Sequence, residues 1–163
     1  MDKHFELTDK FIINAFGAKL FQIKCTRKIK YADIGDLGGY IEKEDNLYGD
    51  AWVSGDAQVS GNAQVYGDAQ VCGNARVCGN ARVYGDARVS NDNEHCGFDC
   101  FGSANRHTHS YKTKSGKIEI TCGCFRGSIE EFEKQIKETH RGNEFERQYM
   151  AIVEVIKIKF GLK

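Results

Sequence analysis

The chain has 163 residues with 23 Lys plus Arg and 23 Asp plus Glu, so its formal net charge is zero. This length allows one or two small domains with their own core, and the balanced charge disfavours a dedicated nucleic-acid or membrane-surface protein. Because no apolar run approaches the roughly 18 residues of a spanning helix and the N-terminus does not resemble a signal peptide, we expect a cytoplasmic protein whose odd number of Cys are reduced thiols.

Residues 1–40 are predicted to form an N-terminal β cap. Two apolar runs, residues 11–16 and 19–25, flank Gly17-Ala18, and this Gly-first pair suits a two-residue type II′ hairpin turn. A repeat structure needs such a cap, because its first unit would otherwise expose apolar side chains and free strand edges.

Residues 41–92 repeat a six-residue unit in which an aliphatic residue is followed four places later by Ala in most units. A period of six fits neither the 3.6 of a helix nor the two of a strand, so it predicts a solenoid of short strands separated by turns. Gly followed by Asp or Asn marks each turn, where a positive φ is inexpensive. The aliphatic and Ala side chains are predicted to point inward.

These repeats, such as Tyr66-Gly67-Asp68-Ala69, resemble the hexapeptide-repeat family. The resemblance implies a left-handed parallel β-helix of about three coils, with eighteen residues per three-sided coil, in subunits that commonly form trimers. The Gly38-Gly39-Tyr40 lead, followed by Asn46-Leu47 and the repeats, is similar to hexapeptide-repeat proteins encoded in phages and prophages.

With eighteen residues per coil, the outward faces can be predicted. One face carries the column Tyr48, Tyr66 and Tyr84, flanked by Asn46, Gln64 and Arg82, and a second face includes Trp52. Stacked tyrosines offer a large rigid surface that suits a subunit interface. The alternative is that the column only stabilises the stacked coils.

Residues 93–163 are predicted to form a C-terminal α+β domain of one hairpin and two helices. Two alternating runs, residues 107–114 and 117–124, flank Ser115-Gly116 and form the hairpin. Ser128 and Glu131 form a capping box that begins one helix, which ends at Gly142. Asn143 begins a second helix, with Tyr149 on its apolar face.

The C-terminal domain also holds the candidate ligands for zinc. The thiols are Cys96, Cys100, Cys122 and Cys124, and the imidazoles are His95, His107 and His109. Their number suffices for a tetrahedral site, but the spacing is not that of two Cys-x-x-Cys knuckles. Since buried free Cys is common, we predict no metal and keep zinc as the alternative.

An anion site is the main prediction for the C-terminal domain. Residues 41–92 carry four Lys plus Arg against eight Asp plus Glu, so an anion site should lie outside the repeats. The N-terminus of the first helix favours anions, and arginine offers a planar fork for phosphate or carboxylate. The predicted ligand-binding residues are Ser103, Asn105, Arg106, Thr108, Arg126 and Ser128. The alternative is a capped helix with solvated arginines.

Catalysis lacks its usual residues. Hexapeptide-repeat acyltransferases use a His near a loop that leaves a coil, whereas these repeats contain no insertion and no His lies between His4 and His95. We therefore expect a non-enzymatic protein without a cofactor, and the resemblance to phage-encoded proteins implies a phage-type accessory role. It would counter host defence in the host cytoplasm, as a homo-oligomer, by sequestering a phosphate-bearing nucleotide signal or occluding a host protein. The alternatives are an acyltransferase and a structural assembly module.

Overall fold

A computed structural model describes residues 3–162 of the chain. The chain divides into two compact units, the first ending at Asp92 and the second beginning at Asn93. Within the described residues, no helix combines the length and apolar character needed to cross a membrane.

The first unit opens with three antiparallel strands, β1 (Phe5–Ile13), β2 (Lys19–Cys25) and β3 (Leu37–Ile41). The connection between β1 and β2 is residues 14–18 and not the predicted two-residue turn. The side chain of Asn14 closes this loop, because its Oδ1 accepts the N–H groups of Phe16 at 3.0 Å and Ala18 at 2.9 Å.

The repeats form seven short strands in which partners lie eighteen positions apart. These strands are β4 (Trp52–Val53), β5 (Gln58–Val59), β6 (Gln64–Gly67), β7 (Gln70–Val71), β8 (Arg76–Val77), β9 (Arg82–Gly85) and β10 (Arg88–Val89). Three parallel ladders result, namely β3-β5-β8, β4-β7-β10 and β6-β9. Since β1 and β2 extend the first ladder in the antiparallel sense, that five-stranded sheet is mixed.

The core of the repeats contains the side chains that the six-residue pattern places inside. The aliphatic residues are all fully buried and comprise Ile41, Leu47, Val53, Val59, Val65, Val71, Val77, Val83 and Val89. The alanines from Ala51 to Ala87 are buried with them. The inward prediction is therefore confirmed, and each unit depends on its neighbours for burial.

Trp52 and Asn46, both predicted to face outward, are buried instead. Trp52 packs beside the ring of His4, with ring centroids 6.0 Å apart, because the start of β1 lies against this part of the solenoid. Asn46 is enclosed in the 3₁₀ turn Glu44–Asn46, where its amide donates to the carbonyl oxygens of Gly61 and Ala63, three six-residue units later. The outward assignment of both residues was therefore wrong.

The second unit is a four-stranded antiparallel sheet with two helices. The strands are β11 (His95–Phe101), β12 (Arg106–Lys112), β13 (Ile118–Cys122) and β14 (Phe125–Gly127), in that spatial order. The helices are α1 (Ile129–His140) and α2 (Glu144–Phe160). The predicted hairpin is β12-β13, and β11 and β14 add one strand on each side. The helices share a core with this sheet that includes Ile120, Phe132, Tyr149 and Ile156.

Candidate functional site

The second unit contains a cavity of about 400 Å³ with an apolar floor and a cationic rim. Its lining residues are Arg106, Cys122, Cys124, Phe125, Arg126, Phe132, Gln135, Ile136, Thr139, His140 and Tyr149. None of these side chains is acidic, so the charge at the rim favours an anion. The volume lies within the range of pockets that hold small molecules.

The turn between β13 and β14 positions one side of the cavity. Gly123 adopts a φ of +60°, which closes this two-residue connection. The side chain of Arg106 crosses the turn, since a Cβ on Gly123 would lie 2.8 Å from the Arg106 Cδ and 2.9 Å from its Nη1. Because glycine has no side chain, position 123 leaves space for the Arg106 side chain to reach the cavity.

Arg126 reaches the same cavity from β14 but already has a partner. Its guanidinium forms an ion pair with Glu119 of β13, with Nη2 3.0 Å from Oε2 and Nε bonded to Oε1. The bidentate geometry orients the guanidinium plane. An anion entering the cavity would therefore compete with Glu119 for Arg126.

Tyr149 supplies a neutral hydroxyl and an aromatic surface. Its O–H donates to the Phe101 carbonyl oxygen at 3.3 Å and accepts from the Cys122 thiol at 3.7 Å. Burial, assisted by the contact with Cys122, raises the pKa of Tyr149 to about 12. The ring stacks on His140 of α1, with centroids 5.5 Å apart and an interplanar angle of 25°.

Only Arg106 and Arg126 of the six predicted ligand-binding residues line the cavity. Thr108 is fully buried and donates to the Cys122 sulfur at 3.3 Å. Ser103 and Asn105 lie in the exposed turn between β11 and β12. Sequence reasoning did not identify the lining contributed by α1, although residues 132, 135, 136, 139 and 140 share one side of a helix.

The start of α1 is capped by the protein itself. Ser128 Oγ accepts the Glu131 N–H at 3.3 Å, and Glu131 Oε2 accepts the Ser128 N–H at 2.7 Å. This confirms the predicted capping box. Since Glu131 already places a carboxylate at this terminus, the helix start is not the part of the molecule that favours an added anion.

The candidate zinc thiols lie in different surroundings. Cys96 is hydrogen-bonded to Ser110 at 3.0 Å, and burial raises the pKa of its thiol. Cys122 is buried, whereas Cys100 and Cys124 are exposed. Among residues 3–162, no group of three or more His, Cys, Asp or Glu side chains is placed to hold a metal ion.

The three imidazoles named as candidate ligands bond to other side chains. His95 Nδ1 lies 3.1 Å from His109 Nε2, and His107 Nδ1 donates to Asp99 Oδ1 at 2.7 Å. Gly97 makes room for the His107 ring, because a Cβ at position 97 would lie 2.7 Å from His107 Cε1.

The predicted tyrosine column is present in the first unit. The rings of Tyr66 and Tyr84 stack with centroids 4.7 Å apart and an interplanar angle of 11°. Tyr48 is in register with them through the parallel bridge between Leu47 and Val65, and 38% of its surface is exposed. Tyr48 also lines a cavity of about 590 Å³ in this unit.

A comparison with protein families matches part of the repeat region. Residues 57–73, 69–83 and 81–92 match the YdcK β-solenoid repeat. Residues 57–92 are therefore similar to a β-solenoid repeat family, as the period of six predicts. No curated protein matches the chain.

Proposed function

We propose that this protein is a non-enzymatic binding protein whose second unit holds a small anionic ligand in the cavity between Arg106 and Arg126. One observation carries the proposal. Two arginines from different strands line one cavity with an aromatic floor, and no acidic side chain belongs to that lining. Arginine forks bind phosphate or carboxylate through paired hydrogen bonds.

A nucleotide-type ligand fits this chemistry best. A nucleobase can stack on the aromatic floor formed by Phe125, Phe132 and Tyr149 while its phosphate reaches the arginines at the rim. Tyr149 is neutral at physiological pH, as a tyrosine ordinarily is, and its raised pKa only strengthens this, so it does not repel an anion. Sequestration needs only binding, which these contacts would supply.

Calorimetric titration with a panel of nucleoside monophosphates and cyclic nucleotides tests the proposal. Arg106→Ala is expected to weaken binding by about 10- to 100-fold, because a hydrogen bond to a charged group contributes about 1.5–3 kcal/mol. Arg147→Ala is the matched control, since Arg147 is exposed on α2 and outside the cavity lining. Absence of binding across the panel, or equal loss in both variants, would contradict the proposal.

Glu119→Gln provides a test in the opposite direction. This change removes the carboxylate that holds Arg126 and leaves a neutral amide of similar size. We expect ligand affinity to increase by about 3- to 10-fold, since the competing charge is gone. A decrease would indicate that Glu119 orients Arg126 for binding and does not compete with the ligand.

The biological setting that we propose is a phage-encoded accessory protein that acts in the host cytoplasm against a nucleotide-dependent defence. Its support is the resemblance of the glycine-rich lead and the repeats to phage-encoded hexapeptide-repeat proteins. The proposed solenoid is left-handed, with about three coils. Phage infection assays with the Arg106→Ala/Arg126→Ala double variant test this role. If the variant protects phage as well as the natural chain does, occlusion of a host protein replaces sequestration as the mechanism.

Self-assembly through the tyrosine column is a second candidate role, favoured by the exposed ring of Tyr48 and the stacked pair that follows it. We propose a homotrimer with this column at the contact. Tyr48→Ser/Tyr66→Ser is expected to reduce the oligomer to a monomer, and light scattering measures the change in mass.

The acyltransferase alternative is tested by acetyl transfer from coenzyme A, with His4→Gln as the variant.

A further inference from the structure

Helix α2 has apolar side chains on two faces. The inner face, with Tyr149, Ile152, Val153 and Ile156, is buried in the core of the second unit. On the outer side, Val155 is 49% exposed, Ile158 70% and Leu162 44%. Two large apolar side chains so exposed on one helix, with a third just after its end, are unusual for a surface that contacts only water.

The exposed side chains follow the spacing of a coiled-coil seam. Ala151, Val155, Ile158 and Leu162 are separated by four, three and four residues, the alternation of d and a positions in a heptad. Leu162 follows the helix, but its N–H donates to the Lys157 carbonyl oxygen at 2.9 Å. This closing turn at Gly161 keeps Leu162 next to the last helical turn.

We propose that the outer face of α2 is a self-association surface that binds the same face of further copies of this chain in parallel and in register. The charges beside the seam identify this occupant. When Val155 is placed at heptad position a, Glu154 falls at position g. Lys159, five residues after Glu154, falls at position e. A parallel seam brings each Glu154 beside Lys159 of a neighbouring copy, whereas an antiparallel seam places like charges together.

The branching of the seam side chains specifies three helices. Val155 at a and Ile158 at d are both β-branched. β-branched residues at both positions favour trimers, because the geometry at d in a dimer suits Leu. The seam spans only about three turns, so the assembly is weak and its population depends on protein concentration. This inference is independent of the ligand cavity.

Sedimentation velocity at 10–500 µM, a concentration range set by weak micromolar association, tests the seam in the full chain carrying Tyr48→Ser/Tyr66→Ser, in which the proposed tyrosine contact is removed. The average mass is expected to rise from 18.3 kDa towards three times that value. Ile158→Lys should abolish the rise without unfolding the chain, because the replaced side chain is largely exposed. Glu138→Lys, at an exposed position of α1, is the matched control and should leave the association unchanged.

Charge reversal tests the parallel register. Glu154→Lys and Lys159→Glu are each expected to weaken association at least about fivefold, and the double reversal should restore it, since it recreates opposite charges across the seam. Circular dichroism of each variant verifies the fold. A monomer at 500 µM, full association of Ile158→Lys, or a double reversal as weak as the single ones overturns the proposal. If the chain associates only when Tyr48 and Tyr66 are both present, the seam is overturned and self-assembly belongs to the tyrosine column alone.

Discussion

Asn46 is a buried amide whose hydrogen bonds connect its own turn to a repeat three six-residue units later. Its Nδ2 donates to the carbonyl oxygens of Gly61 at 3.2 Å and Ala63 at 2.8 Å, and its Oδ1 accepts the Lys43 N–H at 2.9 Å. The side chain is fully enclosed. A buried amide of this kind has no water to replace a lost partner, so its two donors and one acceptor are all needed.

Asn46→Asp is expected to destabilise the first unit by about 3 kcal/mol, because a carboxylate would face two carbonyl oxygens and its charge would be buried. Urea unfolding measures the loss. Asn62→Asp is the control, since Asn62 is exposed in the repeat that Asn46 contacts and its change should remain within about 0.5 kcal/mol. Equal losses in the two variants would show that enclosure of Asn46 contributes nothing.

His4 makes the stability of the first unit depend on pH. The ring is buried and its Nε2 donates to the Ala51 carbonyl oxygen at 2.9 Å. Burial lowers the pKa of His4 below 6.5, so the unfolded chain takes up a proton at a higher pH than the folded chain. Its stabilising contribution is present above pH 6.5 and is lost as the pH falls through the lower folded pKa.

Unfolding of the first unit should therefore require less urea at pH 5 than at pH 7.5. His4→Gln retains a donor for Ala51 but does not titrate, so its dependence on pH should be weaker. The comparison isolates His4, since the other four His of the chain lie beyond Asp92. Identical pH dependence in the two proteins would be incompatible with this explanation.

At the scale of the element, the glycine turns combine an unusual backbone conformation with close stacking. Gly61 and Gly79 occupy the same place in the repeat, with φ of +68° and +67°. A Cβ at position 61 would lie 3.2 Å from the Gly79 nitrogen, whereas a Cβ at position 79 would have nothing within 4 Å. The two glycines thus differ in whether another turn stacks on them.

Gly79→Ala is expected to destabilise the first unit by about 1 kcal/mol, the cost of a left-handed conformation. Gly61→Ala should cost about 1 kcal/mol more, because its methyl group also presses on the stacked turn. Urea unfolding of both variants gives the difference. If the two losses are equal, close stacking adds nothing to the requirement for glycine.

Short-range patterns predicted the elements that depend on local chemistry. The period of six predicted the repeat strands, and the capping box of Ser128 with Glu131 predicted the start of α1. The pattern could not predict β11, where Gly97 and a positive φ of 63° at Cys100 interrupt the alternation, or β14, which has three residues. Each strand forms by pairing with its neighbour in the chain, β11 with β12 and β14 with β13, although its own residues show no regular alternation.

At the scale of the whole molecule, the chain has two cores. The first contains the aliphatic and Ala columns of the repeats, and the second contains apolar residues of the sheet and both helices. The first core is formed by residues up to Asp92, and the second is formed by residues from Asn93 onward. Domains with separate cores unfold as separate cooperative units.

We therefore expect two transitions in calorimetry of the full chain. Asn46→Asp should lower the midpoint of one transition, and Tyr149→Phe, which removes the bond to the Phe101 carbonyl oxygen, should lower the other by a few degrees. A single transition that moves with both variants would show that the two units unfold together.

The candidate site could be predicted only in part, because its lining comes from three strands and two helices. Arg106 and Arg126 were identified since arginine is a natural partner of anions, and both line the cavity. Gln135, Thr139 and His140 are ordinary surface residues of an amphipathic helix when read alone. Only the packing of α1 beside β13 and β14 brings them to one cavity.

The pairing of residues eighteen positions apart also restricts how the repeats can gain or lose length. Parallel strands lie about 4.8 Å apart, so inserting or deleting eighteen residues would change the solenoid by one such step and leave every ladder aligned. An indel of six would keep each Val inside but would transfer all later tyrosines to a different ladder. Duplication in multiples of eighteen is therefore the route by which this unit can grow while keeping its aromatic surface.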